Sequence, residues 1–138
     1  MSTDAWWDFQ HRLGSFLGAL HDGETVILSD ARDDSCYLQF LSFGQDGIRA
    51  EVSPSASDEE MQRLGWVPPR LNRRGKPVDG TPNLTAEVLA DQIHRLPPMV
   101  VGALRDVWQI SDPEAVTAVK VNDFGGPQAT DLRPPTQS

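Results

Sequence analysis

The 138 residues predict an α+β fold, an antiparallel β-meander packed with N- and C-terminal helices. Three observations carry that expectation. The apolar residues Trp6, Phe9, Leu13, Phe16, Leu17 and Leu20 step by three and four, which aligns them on one stripe of a helix. Two strand-like segments, Cys36-Tyr37-Leu38-Gln39-Phe40-Leu41 and Ile48-Arg49-Ala50-Glu51-Val52, flank the turn residues Gly44-Gln45-Asp46-Gly47. Near the C-terminus, Pro97-Pro98 opens a stretch in which Val100, Val101, Leu104, Val107 and Trp108 again share a helical face.

In order, the first helix spans residues 4–20, with Ser2, Thr3 or Asp4 as its cap and His21-Asp22-Gly23 as its stop. Trp7 lies about a quarter turn from the apolar stripe, at the margin of the core or in solvent. Residues 24–29 form a first strand with Val26 and Leu28 on one face and Thr25 and Ile27 on the other. The second, 36–42, puts Cys36, Leu38 and Phe40 against Tyr37, Gln39 and Leu41, so both of its faces are at least half apolar, which suits a central strand. The third alternates Ile48, Ala50 and Val52 with Arg49, Glu51 and Ser53, one face buried and one wet. Ser57 with Glu60 is a capping-box start for a short helix over 58–64, after which Gly65 turns the chain and Trp66 folds back on the core. The prolines and glycines of 67–82 interrupt regular structure. Leu84, Ala86 and Val88 alternate as in a strand, but Val88, Leu89, Ile93 and Leu96 fit a helix, and helix is favoured over 84–96. A further helix runs from Pro97 to about residue 109, and Asp112-Pro113-Glu114 opens a last short one through about residue 119. Residues 1–123 read as a single domain and 124–138 as a disordered tail nearly devoid of apolar side chains.

Composition narrows the function. With 12 basic against 20 acidic residues the formal net charge is −8, so a polyanion is repelled and general nucleic-acid binding is disfavoured. One basic cluster, Arg70, Arg73, Arg74 and Lys76, lies in the Pro/Gly-rich stretch and reads as a solvated loop. No stretch approaches ~20 apolar residues and the start has no basic-then-apolar leader, so neither membrane spanning nor export is expected and the cytoplasm is the natural address. The single cysteine, Cys36, is read as core.

Catalytic chemistry finds no anchor. His11, His21 and His94 lie on or beside helices without converging partners. Asp30, Asp33 and Asp34 lack the spacing of a calcium loop, and no glycine pattern follows a strand as a phosphate cradle requires. No cofactor, metal or catalytic residue is assigned, and an enzyme is not expected.

The strand Tyr37-Leu38-Gln39-Phe40, the strand Gly47-Ile48-Arg49-Ala50-Glu51-Val52-Ser53, the triplet Leu64-Gly65-Trp66 with Pro68 soon after, and Ala103-Leu104-Arg105-Asp106-Val107-Trp108 followed by Asp112-Pro113 resemble the actinobacterial TY-Chap group of YbjN-like and type III secretion chaperone-like domains. The resemblance covers about residues 8–118, departing at Leu84, where an aromatic residue is expected, and in the basic loop. It implies a secretion chaperone-like fold with a curved antiparallel sheet covered by helices, commonly a dimer, whose role is to hold an extended peptide of a client. A non-enzymatic, peptide-binding partner of a client polypeptide is therefore the first expectation. A client-free structural or regulatory homodimer is the alternative, with an undetected hydrolase behind it. Tyr37, Gln39 and Leu41, with Trp7 at the periphery, are the expected partner-binding residues. Burial of Tyr37 and Leu41 under a helix or in a homodimer is the competing fate.

Overall fold

Among the described residues six strands form one sheet, in the spatial order Leu84–Val88, Ile48–Val52, Asp33–Ser42, Thr25–Asp30, Val116–Val121, Gln128–Ala129. This computed structural model of the protein describes residues 2–54, 58–78, 80–121 and 128–129, without the side chains of 2–4, 34, 128 and 129. Helix α1 (Ser2–Gly18) precedes the meander of β1 (Thr25–Asp30), β2 (Asp33–Ser42) and β3 (Ile48–Val52). Every pairing is antiparallel, with Leu28 opposite Leu38 and Phe40 opposite Ala50. Turn residue Gly47 has φ 110° and packs so tightly on the strand Leu84–Val88 that a Cβ there would strike the Val88 carbonyl oxygen. Only glycine tolerates both the dihedral and the approach.

All six residues of the predicted α1 stripe are buried. They meet one set of alternating strand residues, Val26 and Leu28, Leu38 and Phe40, Ile48, Ala50 and Val52, all removed from water. Helix α2 (Asp58–Arg63) contributes Met61, and Trp66 folds back into the core as expected, its backbone N–H donating to the Met61 carbonyl at 3.2 Å. Helix α3 (Leu96–Val101) continues into a π-helical turn, Gly102–Val107, and supplies Leu96, Val100, Val101 and Leu104. The Trp108 N–H reaching back to Ala103 at 2.9 Å completes that wider turn. The expected helix over 97–109 is thus two stretches of different winding. The capping groups expected at Ser2, Thr3, Asp4 and Ser57 lie outside the described side chains.

Two expected helices are strands instead. Residues Leu84–Val88 form β4, pairing along β3 with Ala86 opposite Ala50, and only then does a 3-10 helix, Ala90–Arg95, begin. The alternation of Leu84, Ala86 and Val88 buries three side chains against the core, whereas the helical reading would have spent Leu89 on the same face; Leu89 is 60% exposed. Near the C-terminus, Asp112 caps a single 3-10 turn (Pro113–Ala115), its Oδ1 accepting from the Glu114 N–H at 2.8 Å. The chain then enters β5 (Val116–Val121), whose β-branched residues pair with the free edge of β1. The tail expected to be disordered, 124–138, lies outside the described residues apart from Gln128–Ala129, which pair with β5 as β6. Cys36, read as core, is only half-buried, in the first half of β2.

The interruption at 67–82 holds a small hairpin. Leu71 bridges Pro77, with the Asn72 N–H donating to Lys76 O at 2.7 Å and the Val78 N–H to Arg70 O at 2.8 Å. Pro77 occupies the non-hydrogen-bonded position, where its missing N–H is not needed. The turn is closed by Asn72, whose Oδ1 accepts from the N–H groups of Arg74 (2.8 Å) and Lys76 (3.0 Å), while Gly75 takes φ 77°.

Candidate functional site

Because α1, α2 and α3 all pack on the side of Val26, Leu38 and Ala50, the alternate strand residues point away from every described helix. Register arranges them in rows. One row runs Val119, Ile27, Gln39, Glu51, Thr85, and a second runs Val121, Thr25, Leu41, Arg49, Glu87. All ten are half-buried except Glu87, which is exposed. Half-burial without a covering helix comes from mutual shielding: partners directly opposite in antiparallel strands hold their Cβ atoms ~5 Å apart. The β5-β1-β2 side is apolar, with Ile27, Leu41, Val119 and Val121 side by side.

Polar contacts organise the other side. Asn83, buried just before β4, donates from Nδ2 to Glu51 Oε1 at 2.9 Å and to the Tyr37 hydroxyl at 3.2 Å. Glu51 Oε2 lies 3.3 Å from Arg49 Nε, although that nitrogen is buried with no aligned hydrogen bond. Tyr37 is further fixed by its backbone, its N–H donating to Ser53 Oγ at 3.0 Å and its carbonyl accepting the Ser53 N–H at 2.9 Å. The Tyr37 ring is therefore held in place while remaining half-exposed.

Of the expected partner-binding residues, Tyr37, Gln39 and Leu41 come together on this uncovered face. Trp7 does not join them: it stands on α1, beyond the opposite face, 62% exposed and packed at a 50° tilt against His11 with ring centroids 3.9 Å apart. Ile27, Val119, Val121 and Asn83 belong to the same face and were not singled out. The alternation in Val116-Thr117-Ala118-Val119-Lys120-Val121 was the available signal for two of them, and a helical reading hid it.

Reactive groups are subdued elsewhere. Burial, with the Asp33 and Asp30 carboxylates nearby, pushes the Cys36 thiol upward, so the nucleophilic thiolate is disfavoured. Asp30 and Asp33 at the β1–β2 turn are committed locally. Asp30 accepts from the Arg32 side chain at 3.3 Å and its N–H at 2.9 Å, which holds it below the usual range; Asp33 accepts from Ser35 Oγ at 2.6 Å, with the same effect. Among the described residues no group of three or more His, Cys, Asp or Glu side chains is placed to hold a metal ion. His94 borders two adjoining depressions between α1 and the 3-10 helix, about 280 Å³ each, and no carboxylate lines either. Among the described residues no helix is long and apolar enough to cross a membrane.

An ordered sheet with one face that no described helix covers leaves apolar and polar side chains open to contact with another chain. A family profile described as T3SS (YopN, CesT) and YbjN peptide-binding chaperone 3, or TY-Chap3, matches residues 2–122. The chain belongs to this family. Comparisons with curated proteins and with solved structures gave no match. In TY-Chap terms the α+β architecture is as expected, and a polypeptide is the class of partner to place on the fold.

Proposed function

We propose that this TY-Chap domain holds an extended segment of a client polypeptide against the uncovered face of its sheet, in the cytoplasm and without catalysis. The observation that carries the reading is the apolar group Ile27, Leu41, Val119 and Val121, beside Tyr37 and Gln39, on the face that no described helix covers. Family membership supplies the partner class. Alternate side chains of an extended client match such a face, because its own side chains repeat along the strands at the spacing of a second strand. Gln39 offers the amide with which to bond a client's backbone.

The test is affinity capture from the native host with the unaltered chain and with Leu41→Asp, followed by peptide identification and light scattering. Capture of a polypeptide that the variant loses, with the variant still folded, supports the reading. A chain that forms a stable dimer through this face and captures nothing would replace it with the client-free homodimer.

A further inference from the structure

The segment 67–78, with its small hairpin, is a structured arm that gathers four cations without ion pairs among the described residues. Of the seven cations described outside it, six lie beside a carboxylate, Arg12 with Asp8, Arg32 with Asp30, Arg49 with Glu51, Arg63 with Glu59, Arg105 with Asp106, and Lys120 with Glu24, while Arg95 stands singly. Arg70, Arg73, Arg74 and Lys76 have no such partner among the described residues, although the chain carries 20 acidic side chains. All four are exposed, and the Asn72 bonds hold their turn in one shape. Three large apolar residues of the same segment also face water, Val67 at 55%, Leu71 at 60% and Val78 at 53% exposure.

The arm is continuous with the uncovered face. Val67 exchanges both backbone hydrogen bonds with Thr85 at 2.8 Å, which extends the row from Val119 to Thr85 by one more residue on the same side. Cations beside apolar side chains, next to an apolar sheet face, complement a polypeptide whose carboxylates flank an apolar strand. Nucleic acid fits less well, because the net charge of −8 repels a long polyanion, whereas a short acidic segment within a Debye length of ~8 Å feels chiefly the arm.

We propose that the 67–78 arm receives an acidic segment of the client polypeptide, so that clients are recognised as an apolar extended stretch adjoining a run of Asp or Glu. This rests on the face reading above. The experiment uses the full chain and three fluorescein-labelled synthetic peptides with one alternating Val/Thr core, flanked by glutamates, glutamines or lysines, in anisotropy titrations at low and high salt. The glutamate-flanked peptide is expected to bind about tenfold tighter than the glutamine-flanked one at low salt, as several exposed ion pairs together allow, and the gap closes at high salt. Arg73→Glu with Arg74→Glu erases or reverses that preference, and Arg73→Gln with Arg74→Gln reduces it, circular dichroism verifying the fold. At high salt, where its added charge is screened, Leu41→Asp weakens all three peptides by one factor.

Equal binding of the glutamate- and glutamine-flanked peptides, still lost in Leu41→Asp, overturns the arm proposal and leaves the face reading standing. A glutamate preference that follows the arm variants but ignores Leu41→Asp supports the arm and removes the face. A thymidine oligonucleotide displacing the peptide at lower concentration than the unlabelled peptide itself overturns the choice of partner, and failure of all three peptides to bind overturns both ideas.

Discussion

Removing the Tyr37 hydroxyl and the Asn83 side chain, singly and together, separates what holds the uncovered face in shape from what it would touch. Tyr37→Phe deletes one hydroxyl bonded to Asn83 Nδ2 at 3.2 Å, while that nitrogen retains Glu51 at 2.9 Å. A neutral bond of this kind is worth about 1 kcal/mol net. Asn83→Ala removes the donor to the Glu51 carboxylate as well, a charged bond worth ~1.5–3 kcal/mol, and empties a buried position. The double variant should lose about 0.5–1 kcal/mol less than the sum, because the Tyr37–Asn83 bond is lost only once. Urea unfolding at constant m-value measures all three stabilities. Coupling within about 0.3 kcal/mol of zero would refute the idea that Asn83 links β2 to β4 through Tyr37. Peptide binding by Tyr37→Phe should stay unchanged, since the aromatic ring and its place on the face survive.

The two sides of β2 should respond oppositely to one chemical change. Leu38→Asp puts a carboxylate at a site with no solvent exposure and should unfold the chain at a cost of ~4 kcal/mol or more, whereas Leu41→Asp, half-exposed and opposite Arg49, should shift stability by no more than about 1 kcal/mol; circular dichroism melts distinguish them. Gly47→Ala should cost at least ~2 kcal/mol, since an alanine at φ 110° also brings its Cβ within 2.9 Å of Leu89 Cα, and an unchanged urea midpoint would contradict that packing. Asp30 is held below the ordinary carboxylate range by the Arg32 side-chain and backbone bonds, so its contribution is present above the unfolded value of ~3.9 and fades as pH falls through the lower folded value. Urea midpoints from neutral to acid pH should therefore decline below about pH 4, and less steeply for Asp30→Asn; parallel curves for the two chains would refute the linkage.

The parts legible in the sequence were those where one periodicity had no rival. The α1 stripe and the alternation of Ile48, Ala50 and Val52 each satisfy a single geometry, and each appears as read. Leu84 to Leu96 satisfied two, and propensity favoured the wrong one because the deciding term was remote: β3 presents an edge that only a strand can complete, and Ala86 lies opposite Ala50 to do so. The same holds for β5, where Asp112 and Pro113 do start a helical turn, but β1 offers unpaired backbone to Val116–Val121. For the site, the double-sided apolarity of β2 announced an extra surface. Its extent could not be read, because Val119 and Val121 reach the face only through that distant pairing, and Asn83 only by folding over Glu51. The basic cluster announced itself as well, while its hairpin rested on the Asn72 and Gly75 turn chemistry that proline count alone obscured.

Both margins of the sheet are partly taken, and this bears on how a client would be held. Val67 completes the outer backbone bonds of Thr85 on β4, and β6 pairs with Val119 and Lys120 on β5. An open edge invites any strand, since backbone bonding is indifferent to sequence. Blocking it at those positions shifts the weight of recognition to side chains on the face, and an apolar surface flanked by uncompensated cations discriminates by side-chain chemistry where an edge discriminates little. A client added as an extra strand would make binding tolerant of face substitutions and sensitive to proline at alternate client positions; one held on the face should show the reverse, so a proline scan through the Val/Thr core of the bound peptide decides between them. Uniform tolerance of proline combined with loss at Leu41→Asp is the pattern that face contact requires.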